Sequence, residues 1–165
     1  MDKPEPRPKH LPYGASAITD QLFIAPIPRT RHIEDIRTLR VDLVISMLFR
    51  APPPELAQPP FRLIRLPSID FPGFPIPMFW LRKGAAAASL VIDAGGRVLV
   101  YCRAGRHRSV AMAACILIAQ GMTADQAMDT ITSKREIADP HAAHIEARIR
   151  AFERDWQRRQ RPGTA

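Results

Sequence analysis

Cysteine is nearly absent: the 165 residues hold two, Cys102 and Cys115. So sparse a supply excludes a disulfide-stapled scaffold and leaves each thiol as a core filler or a reactive group. Long hydrophobic runs are missing as well. The longest, Val110 to Ala119, falls well short of the ~18 residues that a membrane-spanning helix needs. Met1 to Lys9 alternates charge with proline and offers no apolar stretch that could serve as a secretory signal, so a cytoplasmic protein is expected. No internal repeat is visible. Acidic residues are also short, 16 against 24 Lys and Arg, and the net charge of +8 predicts an anionic partner. Substrate, nucleic acid and membrane surface all qualify.

What is present fits one globular domain, since an apolar share of 46% and a charged share of 24% suit a single core of this length. Prolines are frequent, 17 in all, and gather at 4–12, 52–60 and 67–77. The expected organisation is a proline-rich, flexible lead over 1–12, a single domain over 13–158 and a basic tail over 159–165. Apolar and β-branched runs predict strands at Leu22–Ala25, Val41–Ser46, Phe61–Leu66 and Arg97–Tyr101. Between and after them lie helical patterns. Thr30 offers an N-cap to a short helix carrying Ile33, Ile36 and Leu39, and Met78 to Ala94 runs to a stop at Gly95-Gly96. A further helix follows Ser109, Thr123 and Gln126 form a capping box, and Asp139-Pro140 reads as the cap and first turn of a last helix. Strands alternating with helices predict an α/β fold, a central, mostly parallel sheet of about four or five strands flanked by helices.

Val98 to Ser109 carries the chemistry. A buried strand ends in Cys102, five residues form a glycine-containing turn, and Arg108 and Ser109 open a helix. Backbone N–H groups in such a turn can converge as a nest, and the helix N-terminus adds its positive end, so Arg103, Ala104, Gly105, Arg106, His107 and Arg108 are candidate phosphate-binding residues. The same donors favour a thiolate and lower the Cys102 pKa from its free value of ~8.5. Arg108 can grip two phosphoryl oxygens with its planar fork. Ser109 can donate to the sulfur and ease its departure.

This Cys-x5-Arg-Ser spacing resembles the signature of the cysteine-dependent protein tyrosine phosphatase superfamily, and the chain length resembles its small dual-specificity branch. The likeness extends to Leu22–Ala25, to Phe61–Asp70 and to the closing segment from Asp139 through Trp156. It implies a metal-independent phosphomonoesterase that passes through a cysteinyl-phosphate on Cys102, acting on phosphotyrosine and, more broadly, phosphoserine or phosphothreonine in proteins. No cofactor and no metal are expected. Displacing an ester oxygen requires an acid on a loop above the cradle. Asp70 is the candidate, since it ends a strand and stands 32 residues before Cys102, a separation similar to that of dual-specificity phosphatases. Asp93 is a poor rival, and Asp139 reads as a helix cap.

Two departures from the family pattern stand out. Tyr101 occupies the place where most members carry histidine, which predicts a slower enzyme or a higher thiol pKa. Arg103 and Arg106 sit at the first and fourth positions after the cysteine, where phosphatases of phosphoinositides and inositol polyphosphates often place basic residues, so that substrate class is the alternative. A rhodanese-like sulfurtransferase is a more distant one. Cys115 reads as core. His141 and His144 are spaced to ligate a metal but lack an evident third ligand, so a solvated face is expected. The basic residues from Arg148 to Arg161 could meet anionic surfaces, with no nucleic-acid partner favoured.

Overall fold

The computed structural model describes residues 11–163; residues 1–10, most of the predicted lead, lie outside them. Five strands form one sheet in the order β1 (Ser16–Ala17), β2 (Leu22–Ala25), β5 (Val98–Tyr101), β3 (Leu43–Ser46), β4 (Arg62–Arg65). All neighbours pair in parallel except β1, which runs antiparallel to β2 at one edge. Every residue of β2, β3 and β5 is buried, as expected of parallel strands covered on both faces, whereas β4 at the other edge exposes Arg62 and Arg65 at its two ends.

Among the described residues the sheet is flanked by five α-helices: α1 (Ile33–Thr38), α2 (Met78–Asp93), α3 (Arg108–Ala119), α4 (Ala124–Lys134) and α5 (Ala143–Gln160). The run Val110 to Ala119 is apolar all round because α3 is enclosed on all sides, by the sheet and by α2, α4 and α5. Gly84 permits a close approach of α2 to α3, since a Cβ there would lie 2.5 Å from the Met112 sulfur. Fully burying an aliphatic side chain stabilises by roughly 1.5–3 kcal/mol, so this helix is the largest single contributor to the core.

Two predicted caps differ from the structure. Thr30 lies inside a short 3-10 turn, Thr30–His32, that leads into α1, and the Arg29 N–H donates to His32 Nδ1 at 3.0 Å. Asp139 and Pro140 do not open α5, which starts three residues later behind Ala142. The Asp139 N–H is instead committed to the Arg106 carbonyl at 3.0 Å, which pulls this residue out of line with the helix. The capping box of α4 is present, with Gln126 N–H donating to Thr123 Oγ1 at 3.1 Å and Thr123 N–H to Gln126 Oε1 at 2.9 Å.

The strand order positions the site. The chain passes from β2 to β3 and later inserts β5 between them, so loops diverge on either side of the β5 carboxyl end. That is where ligands settle in open parallel sheets.

Candidate active site

Cys102 follows the last residue of β5 and is 3% exposed. The five residues after it turn into α3, and each loop carbonyl up to Arg106 is tied outward. The Arg103 carbonyl accepts from Ile27 N–H at 3.0 Å and the Arg106 carbonyl from Asp139 N–H. Arg135 holds the two between, its Nη2 donating to the Ala104 carbonyl at 3.2 Å and its Nε to the Gly105 carbonyl at 2.7 Å. In a planar trans peptide the N–H points opposite its carbonyl partner, so the amides of Ala104, Gly105, Arg106 and His107 are turned the other way. The cradle is thus built from behind.

Gly105 is required at its place. Its φ is +67°, and a Cβ would come within 2.6 Å of Arg135 Nη2 and 2.9 Å of the Ala25 carbonyl. Arg135 is 5% exposed and also donates to the Gly14 carbonyl at 2.8 Å and Ser16 Oγ at 2.9 Å. Sequence reading missed it. Its partners lie up to 121 residues away, and no local pattern marks a buried arginine among twenty.

Burial alone would push the Cys102 thiol up. It is outweighed by hydrogen bonds from the Ser109 hydroxyl, 3.1 Å from the sulfur, and from the amides of Ser109, Arg106 and Gly105, so its pKa falls below the ordinary value. Arg108 reaches across to the carbonyls of Ser68, at 2.8 Å, and Met47 through one Nη, which fixes the guanidinium plane. Its Nε is buried with no hydrogen-bond partner among the described residues. A buried, unpaired cationic donor is costly unless an anion completes it.

Asp70 follows β4 and faces the same open cavity, of about 480 Å³, as Cys102, Arg103, Ala104, Arg106, His107 and Arg108. The predicted site residues therefore meet in one place. His107 Nδ1 lies 2.9 Å from one Asp70 oxygen and His144 Nε2 lies 2.8 Å from the other. Burial would raise the Asp70 pKa, yet these two hydrogen bonds, together with the charges of His107 and Arg108, hold it below its ordinary value. His144 is therefore not a solvated partner of His141, which turns to Glu146 at 3.3 Å. Asp139 caps no helix; its carboxylate faces His107 Nε2 at 3.5 Å and Arg106 Nη2 at 3.7 Å.

Tyr101 is 1% exposed, and its hydroxyl meets no partner of hydrogen-bonding geometry among the described residues. Burial raises its pKa, and Ser46 and the charge of Arg65 oppose the rise without cancelling it. Cys115 is free and fully buried in α3, its thiol pushed well up by desolvation.

A thiolate beneath converging amides, an open cavity lined by arginines and a carboxylate at its rim define a class of protein, the cysteine-based phosphatases. The chain belongs to the dual specificity phosphatase family: the model of that catalytic domain matches residues 31–155. Human dual specificity phosphatase 28 is 27% identical over 125 residues, covering 75% of this chain and 69% of the relative. The mouse counterpart is 30% identical over 95 residues, 57% of each chain. Among solved structures, human dual specificity phosphatase 28 superposes with a TM-score of 0.77 at 24% identity, over 88% of this chain and 99% of that one. The structure of PTPMT1 in complex with PI(5)P gives 0.76 at 22% identity, over 87% and 97%. At such identities the likeness is one of fold. The chain is accordingly a protein phosphatase, and the sulfurtransferase alternative has no support.

Proposed function

We propose that the chain removes phosphate from phosphotyrosine in proteins, with phosphoserine and phosphothreonine as further substrates, using Cys102 as nucleophile, Arg108 as phosphate clamp, Asp70 as acid and base, and Ser109 as donor to the sulfur. The observation that supports it most is the Cys102 sulfur, 3.1 Å from the Ser109 hydroxyl under the Gly105, Arg106 and Ser109 amides.

The thiolate attacks phosphorus, the P–O ester bond breaks, and the Asp70 carboxyl passes its proton to the departing oxygen. Asp70 then accepts a proton from water. The resulting hydroxide attacks phosphorus, the S–P bond breaks, and inorganic phosphate leaves while Ser109 supports the returning thiolate. Asp70 rests ionised beside its two histidines, as the second step requires. For the first step, an incoming phosphate dianion raises its pKa, since a like charge disfavours ionisation. Turnover of para-nitrophenyl phosphate tests the assignment. It should survive EDTA, stop with vanadate and vanish in Cys102→Ser, and normal turnover by that variant would refute it.

A second reading, phosphoinositide or inositol polyphosphate hydrolysis, is favoured by Arg103 and Arg106, both exposed at the cavity. Arg103→Ala and Arg106→Ala should impair such substrates selectively; an equal loss on phosphotyrosine peptides would leave only general anion attraction. We place the chain in a reducing compartment such as the cytoplasm, because both thiols are free. Of the C-terminal arginines, Arg150 is bound to Asp125 and Glu146 and Arg159 to Asp155, which leaves Arg154 and Arg161, without an ion pair among the described residues, as the ones to meet anionic surfaces. No helix among the described residues is long and apolar enough to cross a membrane.

A further inference from the structure

Asp70, His107 and His144 come from three separate segments, the loop after β4, the residue before α3 and the first turn of α5. Each offers one ligating atom, and the three atoms lie within 4.8 Å of one another. Their side chains are between 20% and 31% exposed, so packing restrains them while one side stays open. His107 shows a second feature of a metal ligand. With Nδ1 toward Asp70, its other nitrogen faces the Asp139 carboxylate at 3.5 Å, the arrangement by which an outer carboxylate fixes the tautomer and orientation of a ligating histidine.

We propose that these residues form a binding site for zinc or a similar borderline divalent cation, and that the bound ion acts as a reversible brake by withdrawing Asp70 from proton transfer. Two imidazoles and one carboxylate are a donor set that suits zinc. Bond lengths of ~2.0–2.2 Å in a tetrahedron put ligand atoms about 3.3–3.5 Å apart. The present 2.8 and 2.9 Å hydrogen bonds must therefore open by only about half an ångström to reach that spacing. Binding requires the coordinating nitrogen of each histidine to be unprotonated, its hydrogen moving to the other ring nitrogen, which in His107 faces the Asp139 carboxylate. The two carboxylates Asp70 and Asp139 offset the nearby Arg106 and Arg108. The fourth position opens toward the cavity shared with Cys102 and is filled by water. Nothing in the sequence brings the three together, because His144 stands 74 residues from Asp70.

The brake rests on the acid–base reading of Asp70; the site does not. Cobalt(II) titration of the chelator-treated full chain separates the two. One equivalent should give visible d–d bands of tetrahedral intensity, without a near-ultraviolet thiolate band, equally in the wild type and in Cys102→Ser, and zinc should displace it. Asp139→Asn should weaken binding about 10- to 100-fold, and His144→Gln or His107→Gln by more, each with thermal unfolding checked to show that the fold is kept. A thiolate band that disappears in Cys102→Ser, or undiminished affinity in His144→Gln, would overturn the site. Zinc should also inhibit turnover reversibly with EDTA. Inhibition absent at full occupancy would overturn the brake and the acid role of Asp70 while leaving the site in place.

Discussion

Replacing Ser109 with alanine removes one donor to the Cys102 sulfur and little else. The hydroxyl is fully buried, sits 3.1 Å from the sulfur, and belongs to the first turn of a helix that is apolar from Val110 to Ala119. A hydrogen bond to a charged group is worth roughly 1.5–3 kcal/mol, and each pKa unit corresponds to about 1.36 kcal/mol. The thiol pKa in Ser109→Ala should therefore rise by about 1–2 units, with the Gly105, Arg106 and Ser109 amides still in place. The rate of iodoacetate alkylation against pH reads this directly, with Cys102→Ser as the blank. The same bond supports the sulfur as it leaves phosphorus, so breakdown of the cysteinyl-phosphate should slow by about 10- to 100-fold over the same energy range. A burst of para-nitrophenol stoichiometric with enzyme should then precede slow turnover. An unmoved alkylation midpoint would show that the amides alone hold the thiolate and would refute the role given to the hydroxyl.

Asp70→Asn should lower kcat by about 10²–10⁴-fold on phosphotyrosine peptides, and by less on substrates whose leaving groups need no proton; equal losses on both would contradict the acid assignment. Gly105→Ala should cost at least ~1–3 kcal/mol, from the left-handed φ and the clash with Arg135, seen as a lower melting temperature together with lost vanadate binding. Arg135→Met leaves the carbonyls of Gly14, Ala104 and Gly105 unpaired at roughly 1–3 kcal/mol each, so it should destabilise more than Arg135→Lys and raise the alkylation pKa in whatever protein folds. Asp155, paired with Arg82 at 2.7 Å, has its carboxyl pKa lowered chiefly by that hydrogen bond. A depressed carboxylate stabilises above its unfolded value of ~3.9 and loses that contribution as pH falls through the lower folded value. The melting-temperature gap between wild type and Asp155→Asn should thus be present at neutral pH and close below about pH 4.

Local signals in the sequence were strong enough to place β2, β3, β5, the α4 capping box and the Cys102–Ser109 turn, because each depends on residues within a few positions of one another. The edge strand β1 has two residues and no pattern of its own. Asp139-Pro140 carries the signal of a helix start, but a hydrogen bond from the Asp139 N–H to the Arg106 carbonyl and a carboxylate turned to His107 prevail over it. Arg135 and His144 escaped for the same reason: each acquires its role only when α4 and α5 fold back onto loops 30 to 121 residues earlier in the chain. Asp70 was legible by its separation from Cys102, whereas its pairing with two histidines was not.

The outward tethering of the loop carbonyls has a bearing on biosynthesis. As the nascent chain leaves the ribosome, Cys102 emerges 33 residues before Arg135 and 37 before Asp139. Until those residues arrive, two of the inward-facing amides have lost their buttress and a third its tether, and the sulfur keeps its proton like any unstructured cysteine. The full set of contacts that favours the thiolate thus awaits the segments around Arg135 and Asp139, which are made after the cysteine they serve.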